Sequence, residues 1–266
     1  MQLDRSPSPV SCGSRCISLC YHDVLSRNDG SASGFSGADA DSYKLDEADF
    51  CKHMDAIACA AARDNGTQTK QEYAVRLTFD DGGASACRIA DILDSYRWQG
   101  YFFIPTDYID RPAFLTRRQI LELRSRGHFI GSHGSSHRGR MSSMSREALA
   151  REWGTSALIL SELLGECITT ASVPSGYYCR QVVEMAAAAG VKLLFTLEPT
   201  SGIHIVDGCM VTGRYMLRRH SSAEYAALIA AGKLAPRLRQ QVSWTAKKVL
   251  KAAPFYSRLR KLYFAG

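Results

Sequence analysis

Tyr73-Ala-Val-Arg-Leu-Thr-Phe79-Asp80-Asp81-Gly82-Gly83 is an apolar strand that runs straight into two carboxylates and a pair of glycines. Two adjacent charges at the end of a buried strand are costly unless something compensates them, and a cation does so well. Successive side chains on a strand point opposite ways, so one aspartate can face an ion while its neighbour takes another task. The glycines permit a tight exit from the strand. The competing reading is an Asp-Gly turn that caps the following helix.

Outward from this stretch, strand-like runs alternate with helical periodicity. Strands are expected at 16–20, 73–79, 101–105, 128–132, 169–173, 191–197 and 209–217. Helices are expected at 46–63, 86–96, 120–126, 146–165, 180–189 and 222–231, the third opened by a Thr116/Gln119 capping box. Segments 25–44 and 64–72 read as loops. About seven β-α units without an internal repeat predict an α/β fold with a parallel sheet and outer helices, closed as a barrel or left open. His22, Asp80, Asp81, His133, His137, the Pro174–Tyr177 stretch and Glu198 all follow expected strands. In a barrel those strand ends converge on one face.

The second polar segment is Gly131-Ser132-His133-Gly134-Ser135-Ser136-His137. Two histidines four apart can approach one ion, or they can be incidental members of a polar loop. With one carboxylate they form the donor set of an open catalytic zinc site, where the ion acidifies a water and stabilises an oxyanion. Asp81, His133 and His137 are the expected ligands, and Asp80 is left free as a general base.

These two segments resemble the motifs of the polysaccharide deacetylase family, carbohydrate esterase family 4, also called the NodB-homology domain. The resemblance covers roughly residues 16–220 and implies a distorted (β/α)7 TIM-like barrel. It also implies a divalent ion, most simply Zn2+, on Asp81, His133 and His137, with Asp80 as base. The implied reaction is metal-dependent removal of N-acetyl groups from N-acetylhexosamine units of a polysaccharide or lipid-linked glycan. The family's third motif, Arg-x-Pro-Tyr-Gly, corresponds to Ser172-Val173-Pro174-Ser175-Gly176-Tyr177. Ser172 stands where the family has an arginine that orients the base, and Arg180 and Arg214 are the candidates to replace it. Cys20-Tyr21-His22-Asp23-Val24 is similar to the first-strand segment of exopolysaccharide-type N-deacetylases, which makes His22 the expected acid. His204 and His220 are the later alternatives, and a core histidine bonded to a backbone carbonyl is the bland reading of His22. Pro174, Gly176, Tyr177 and Glu198 are expected near substrate. Trp98, Tyr108, Tyr177 and Tyr178 are candidates to stack on a sugar.

Bulk properties fit this picture. The chain has 266 residues, 45% hydrophobic and 22% charged, as a globular domain of this size requires. Its nine cysteines show no pairing pattern, against a disulfide framework. Cys12, Cys16 and Cys20 read better as small residues of a strand than as helical metal ligands. No apolar leader opens the sequence, so a cytoplasmic location is expected, peripheral to the inner face of the membrane if the tail binds there. After Glu224 the sequence holds nine lysines and arginines and no acid. Residues 1–232 are expected to form the deacetylase domain, and 233–266 a basic amphipathic helical tail. That tail suits a helix packed on the barrel or contact with an anionic membrane; no nucleic acid is expected. The expected partner is an N-acetylated glycan. The rival functions are an O-deacetylase on the same scaffold and a silent glycan-binding or assembly protein, which Ser172 would favour.

Overall fold

Strand β1 (Arg15–Tyr21) is followed by β2 (Val24–Leu25), the one-turn helix α1 (Ala38–Asp41), β3 (Leu45–Asp46) and the long α2 (Glu47–Asp64). The structure, a computed structural model, describes residues 15–26, 33–64 and 73–252. Regular alternation then sets in with β4 (Tyr73–Phe79), α3 (Ala86–Ser95), β5 (Gly100–Ile104), α4 (Arg117–Ser125) and β6 (Phe129–Ser132). It continues through α5 (Arg146–Leu164), β7 (Thr170–Ser172), α6 (Arg180–Ala188) and β8 (Leu193–Phe195). The described residues end with β9 (Ile203–Val206), β10 (Cys209–Thr212), β11 (Tyr215–Met216), α7 (Ala223–Ala230) and α8 (Leu234–Ala252). The expected loops at 25–44 and 64–72 fall partly outside the described residues.

Nine strands form one sheet in the order β11-β1-β4-β5-β6-β7-β8-β10-β9. Every pair is parallel except β9 with β10. The 209–217 segment, expected as one strand, is two. β10 pairs with β8 and β11 pairs with β1, on opposite flanks of the sheet. Only Gly213 and Arg214 separate them, and three Cα steps span at most ~11 Å. The sheet must therefore curl until its flanks approach, which gives the distorted (β/α)7 barrel. Gly213 is required at this seam: a Cβ there would collide with the carbonyl oxygen of Glu198.

Both faces of the strands are buried, which is why they read as continuous apolar runs. Val75, Leu77 and Phe79 of β4 and Phe102 and Ile104 of β5 pack outward with Ile89 and Leu93 of α3 and Ile120 of α4. Tyr101, Phe103, Leu193 and Phe195 form a second cluster on the other face. Arg76, Thr78 and Asp80 share the parity opposite to the outward β4 set, so Asp80 turns inward. The expected capping box at Thr116 and Gln119 is present. Cys16 and Cys20 lie buried on β1, as a strand reading requires, while Cys12 lies outside the described residues.

Candidate active site

Asp80 ends β4 with its carboxylate buried. Arg214, itself wholly buried, donates from Nη1 to Asp80 Oδ1 and from Nη2 to Oδ2, both at 2.7 Å. The same guanidinium donates to Ser172 Oγ at 2.7 Å, to Thr78 Oγ1 at 3.1 Å and, through Nε, to the Thr196 carbonyl at 3.2 Å. It lies above the rings of Phe103 and Phe195, at 5.7 and 5.9 Å from their centroids. Ser172 Oγ donates in turn to Asp80 Oδ2 at 3.3 Å, and Cys20 Sγ sits 3.7 Å from the same oxygen. Burial pushes the Asp80 carboxyl up, but the charges of Arg214 and His133 and the Arg214 hydrogen bonds outweigh it and bring it down to about 2. Arg214 thus occupies the role that the missing motif arginine left open. Arg180 does not: it is exposed and pairs with Glu184 at 2.8 Å.

Asp81 turns the chain out of β4 with φ 75, and His137 adopts φ 54. Left-handed backbone at two non-glycine residues of one small cluster is costly and concentrates at functional sites. Asp81 Oδ1 lies 3.4 Å from His133 Nε2 and 3.1 Å from His137 Nε2. One donor atom from each of the three falls within 4.8 Å of the others. His133 Nδ1 is 2.9 Å from the Ser172 carbonyl, which can only accept, so this nitrogen carries the proton and Nε2 is free to ligate. Two imidazoles and a carboxylate, one imidazole already oriented by a backbone acceptor, fit a divalent ion of the zinc type. Burial raises the Asp81 carboxyl, yet its hydrogen bonds to His133 and His137 hold it well below the usual carboxylate range.

The loop that carries both histidines is fixed by Glu152 of α5. Its buried carboxylate accepts from the Ser135 and Ser136 amides at 3.0 Å each, from Ser135 Oγ at 3.2 Å and from Ser136 Oγ at 2.5 Å. Asp23 has a similar task on the other side. It accepts from Ser33 Oγ at 2.5 Å and Ser85 Oγ at 2.8 Å, tying the segment after β2 to the turn after β4. A Cβ at Gly83 would collide with Asp23, so glycine is needed there for close approach. The segment so anchored brings Phe35 onto the His137 ring at 4.4 Å, with Tyr108 and Phe114 edge-on around it. Asp23, Glu152 and Phe35 did not stand out in the sequence. Only the helical spacing Leu149, Glu152, Trp153, Ser156 hinted that Glu152 faces inward.

His22 stacks on Tyr43 at 4.8 Å, and its Nδ1 is buried with no hydrogen-bond partner among the described residues. The residue before it, Tyr21, pairs with Phe79, the residue before Asp80, which puts His22 and Asp80 at adjacent strand ends. Arg218 covers Tyr43, at 4.8 Å from the ring centroid, and donates to its hydroxyl at 3.2 Å.

The other expected residues divide. Pro174 and Gly176 shape the turn after β7, which approaches the histidine loop where Gly134 lies near Pro174. Tyr177 beside them is covered by Arg140 at 5.2 Å. Tyr108 stands in the aromatic group around Phe35. Trp98 precedes β5 and stacks on Tyr96, at the strand end opposite the site. Tyr178 bonds His204 Nε2 at 2.9 Å, away from the carboxylate pair, and Glu198 meets Lys248 at 3.4 Å.

Residues 67–194 match the polysaccharide deacetylase family model. Residues 67–194 therefore form a polysaccharide deacetylase domain. Its fold is shared with solved deacetylases of low identity. The Streptococcus pyogenes deacetylase PplD in complex with acetate is 19% identical, with a TM-score of 0.63 over 82% of this chain and 98% of that one. IcaB from Ammonifex degensii is 21% identical, with a TM-score of 0.62 over 81% and 97%. The de-N-acetylase from Aggregatibacter actinomycetemcomitans is 18% identical, with a TM-score of 0.62 over 81% and 99%. No curated protein matches the chain. Polysaccharide deacetylases are metal-dependent hydrolases of acetylated glycans, and the Asp81, His133, His137 cluster is the candidate place for that metal here.

Proposed function

We propose that this polysaccharide deacetylase removes N-acetyl groups from N-acetylhexosamine units of a polysaccharide or lipid-linked glycan, with zinc held by Asp81, His133 and His137. The observation that carries the reading is that two adjacent carboxylates are differently equipped. Asp81 Oδ1 lies 3.4 and 3.1 Å from the two imidazoles, while its neighbour Asp80 is clamped by a guanidinium and comes only within 4.0 Å of His133 Nε2.

Arg214 keeps Asp80 ionised and fixes the direction of its oxygens. A carboxylate held so low is a weak base, so the proton it accepts must come from an acidified water; a bound divalent ion supplies that acidity and polarises a carbonyl oxygen. Asp80 accepts the proton. His22, on the neighbouring strand end, gives one to the departing amine, which leaves poorly as an anion. Phe35, Tyr108 and Phe114 present an apolar wall beside His137 against which a sugar ring or acetyl methyl can rest.

A silent glycan-binding role drew its support from Ser172, and Arg214 removes that ground. The O-deacetylase alternative differs in its leaving group: a sugar alkoxide is a weaker base than an amine anion and needs a proton less. Parallel assays on N- and O-acetylated sugars test the reading. Acetate from the N-acetylated oligomer supports it, and acetate from O-acetylated sugars alone overturns it.

A further inference from the structure

Helix α8 is held against the barrel by one face. Gln240 accepts from the Met216 amide at 3.0 Å and donates to the Met216 carbonyl at 2.9 Å, completing the free edge of β11 with a side-chain amide. Arg237 donates to Tyr215 Oη at 2.8 Å and Ser201 Oγ at 2.7 Å, and Pro236 is buried. These contacts fix the rotation of the helix, and the opposite face looks outward.

On that outward face Leu234, Leu238 and Val242 follow each other at successive turns, 65%, 45% and 68% exposed. They are three of only eight large apolar side chains exposed among the described residues. Helical geometry sets Arg239 on one side of this row and Lys248 on the other, both exposed, Lys248 with its amine 3.4 Å from Glu198. No acidic residue follows Glu224, and the sequence beyond the helix continues to mix Arg258, Arg260 and Lys261 with leucines and aromatics. No helix among the described residues is long and apolar enough to cross a membrane.

We propose that α8 is an interfacial membrane anchor that lays the Leu234, Leu238, Val242 row into an anionic bilayer while its flanking cations meet lipid phosphates. A leucine row edged with cations matches the boundary between acyl chains and negative headgroups, and the fluid bilayer needs no shape-matched groove. Gln240 and Arg237 keep the anchor fixed to the seam of the barrel. This inference is independent of the deacetylation reading.

The test is co-sedimentation of the full chain with vesicles of phosphatidylcholine alone or mixed with phosphatidylglycerol. The wild type should sediment with the anionic vesicles, less so in high salt, and not with phosphatidylcholine alone. The double variant Leu238→Ser, Val242→Ser should partition roughly tenfold less or weaker still. Its thermal melt and its activity on soluble oligomers should be unchanged, which separates lost docking from lost folding. Equal sedimentation of variant and wild type overturns the proposal, as does failure of the wild type to bind anionic vesicles. A concentration-dependent dimer that the same substitutions abolish, without vesicle binding, would assign the face to a second copy instead.

Discussion

Arg214 and Asp80 meet in a two-pronged ion pair, both prongs at 2.7 Å, although 134 residues separate them in the chain. The family motif places its orienting arginine at the end of β7. Here Ser172 occupies that strand end, and the guanidinium arrives from the seam between β10 and β11. Ser172 is not idle: its hydroxyl bridges Arg214 and Asp80, and its carbonyl orients His133. Removing either charge strands the other in a buried site. Arg214→Met should therefore cost about 3–5 kcal/mol of stability, measurable by urea unfolding. Arg214→Lys should fold better yet turn over poorly, because an ammonium cannot present the fork. The pair Arg214→Ser, Ser172→Arg should recover activity over Arg214→Ser alone, if an arginine from the β7 end can serve.

Metal retention should depend on the loop that holds His133 and His137. His133→Ala should abolish both bound zinc and turnover. Glu152→Gln keeps the shape but weakens a carboxylate that accepts four hydrogen bonds, and it should lower zinc affinity by roughly 10–100-fold. Competition with a chromogenic chelator reads both. Unchanged affinity in Glu152→Gln would show that the loop holds itself.

His22 is tested by its leaving group. His22→Asn should slow hydrolysis of an N-acetylated oligomer by roughly 10²–10⁴-fold, while an activated aryl acetate, whose phenolate leaves unaided, should lose far less. Equal losses on both would make His22 a binding or structural residue.

Two histidines away from the metal predict how stability changes with pH. Tyr21 donates to His53 Nδ1 at 3.3 Å while Nε2 meets the Ser221 carbonyl at 2.8 Å. Burial lowers His53 below its usual range, Ser221 opposing; burial also lowers His128, with Asp94 opposing. The unfolded chain therefore binds more protons than the native one as pH falls below ~6.5. Stability should be full above that pH, fall through it, and level off below the native values. Urea midpoints at neutral and mildly acid pH check this. His53→Gln, which can keep both hydrogen bonds, should reduce the slope.

The strand ends and the grouping of Asp81 with His133 and His137 were legible because their chemistry is local. An apolar strand running into Asp80 and Asp81, and two histidines after another strand, announce themselves through residue type and spacing. The β10–β11 break was not legible: a period-2 pattern continues through Gly213 and Arg214, and only the curl of the sheet sends the two halves to opposite flanks. β9 went unseen because Ile203 to Ile205 is exposed and pairs only along one edge. Arg214 was one of two candidates, and choosing it over Arg180 needs the third dimension. Asp23 and Glu152 act through serines distant in sequence, and Phe35 sits in a segment with no periodicity to read. Trp98 was misplaced because an aromatic residue looks the same at either end of a barrel.

If Asp81, His133 and His137 hold the metal and Asp80 is the base, metal content and acetate release must separate in one variant and move together in the wild type. The most direct measurement follows zinc content and acetate release together on N-acetylglucosamine oligomers, for wild type and Asp80→Asn, before and after chelation and zinc return. The wild type should hold about one zinc per chain and show chelator-sensitive, zinc-restored release, and Asp80→Asn should retain zinc with release down by at least about 10²-fold. Full release by the chelated wild type, or by Asp80→Asn, would contradict this assignment.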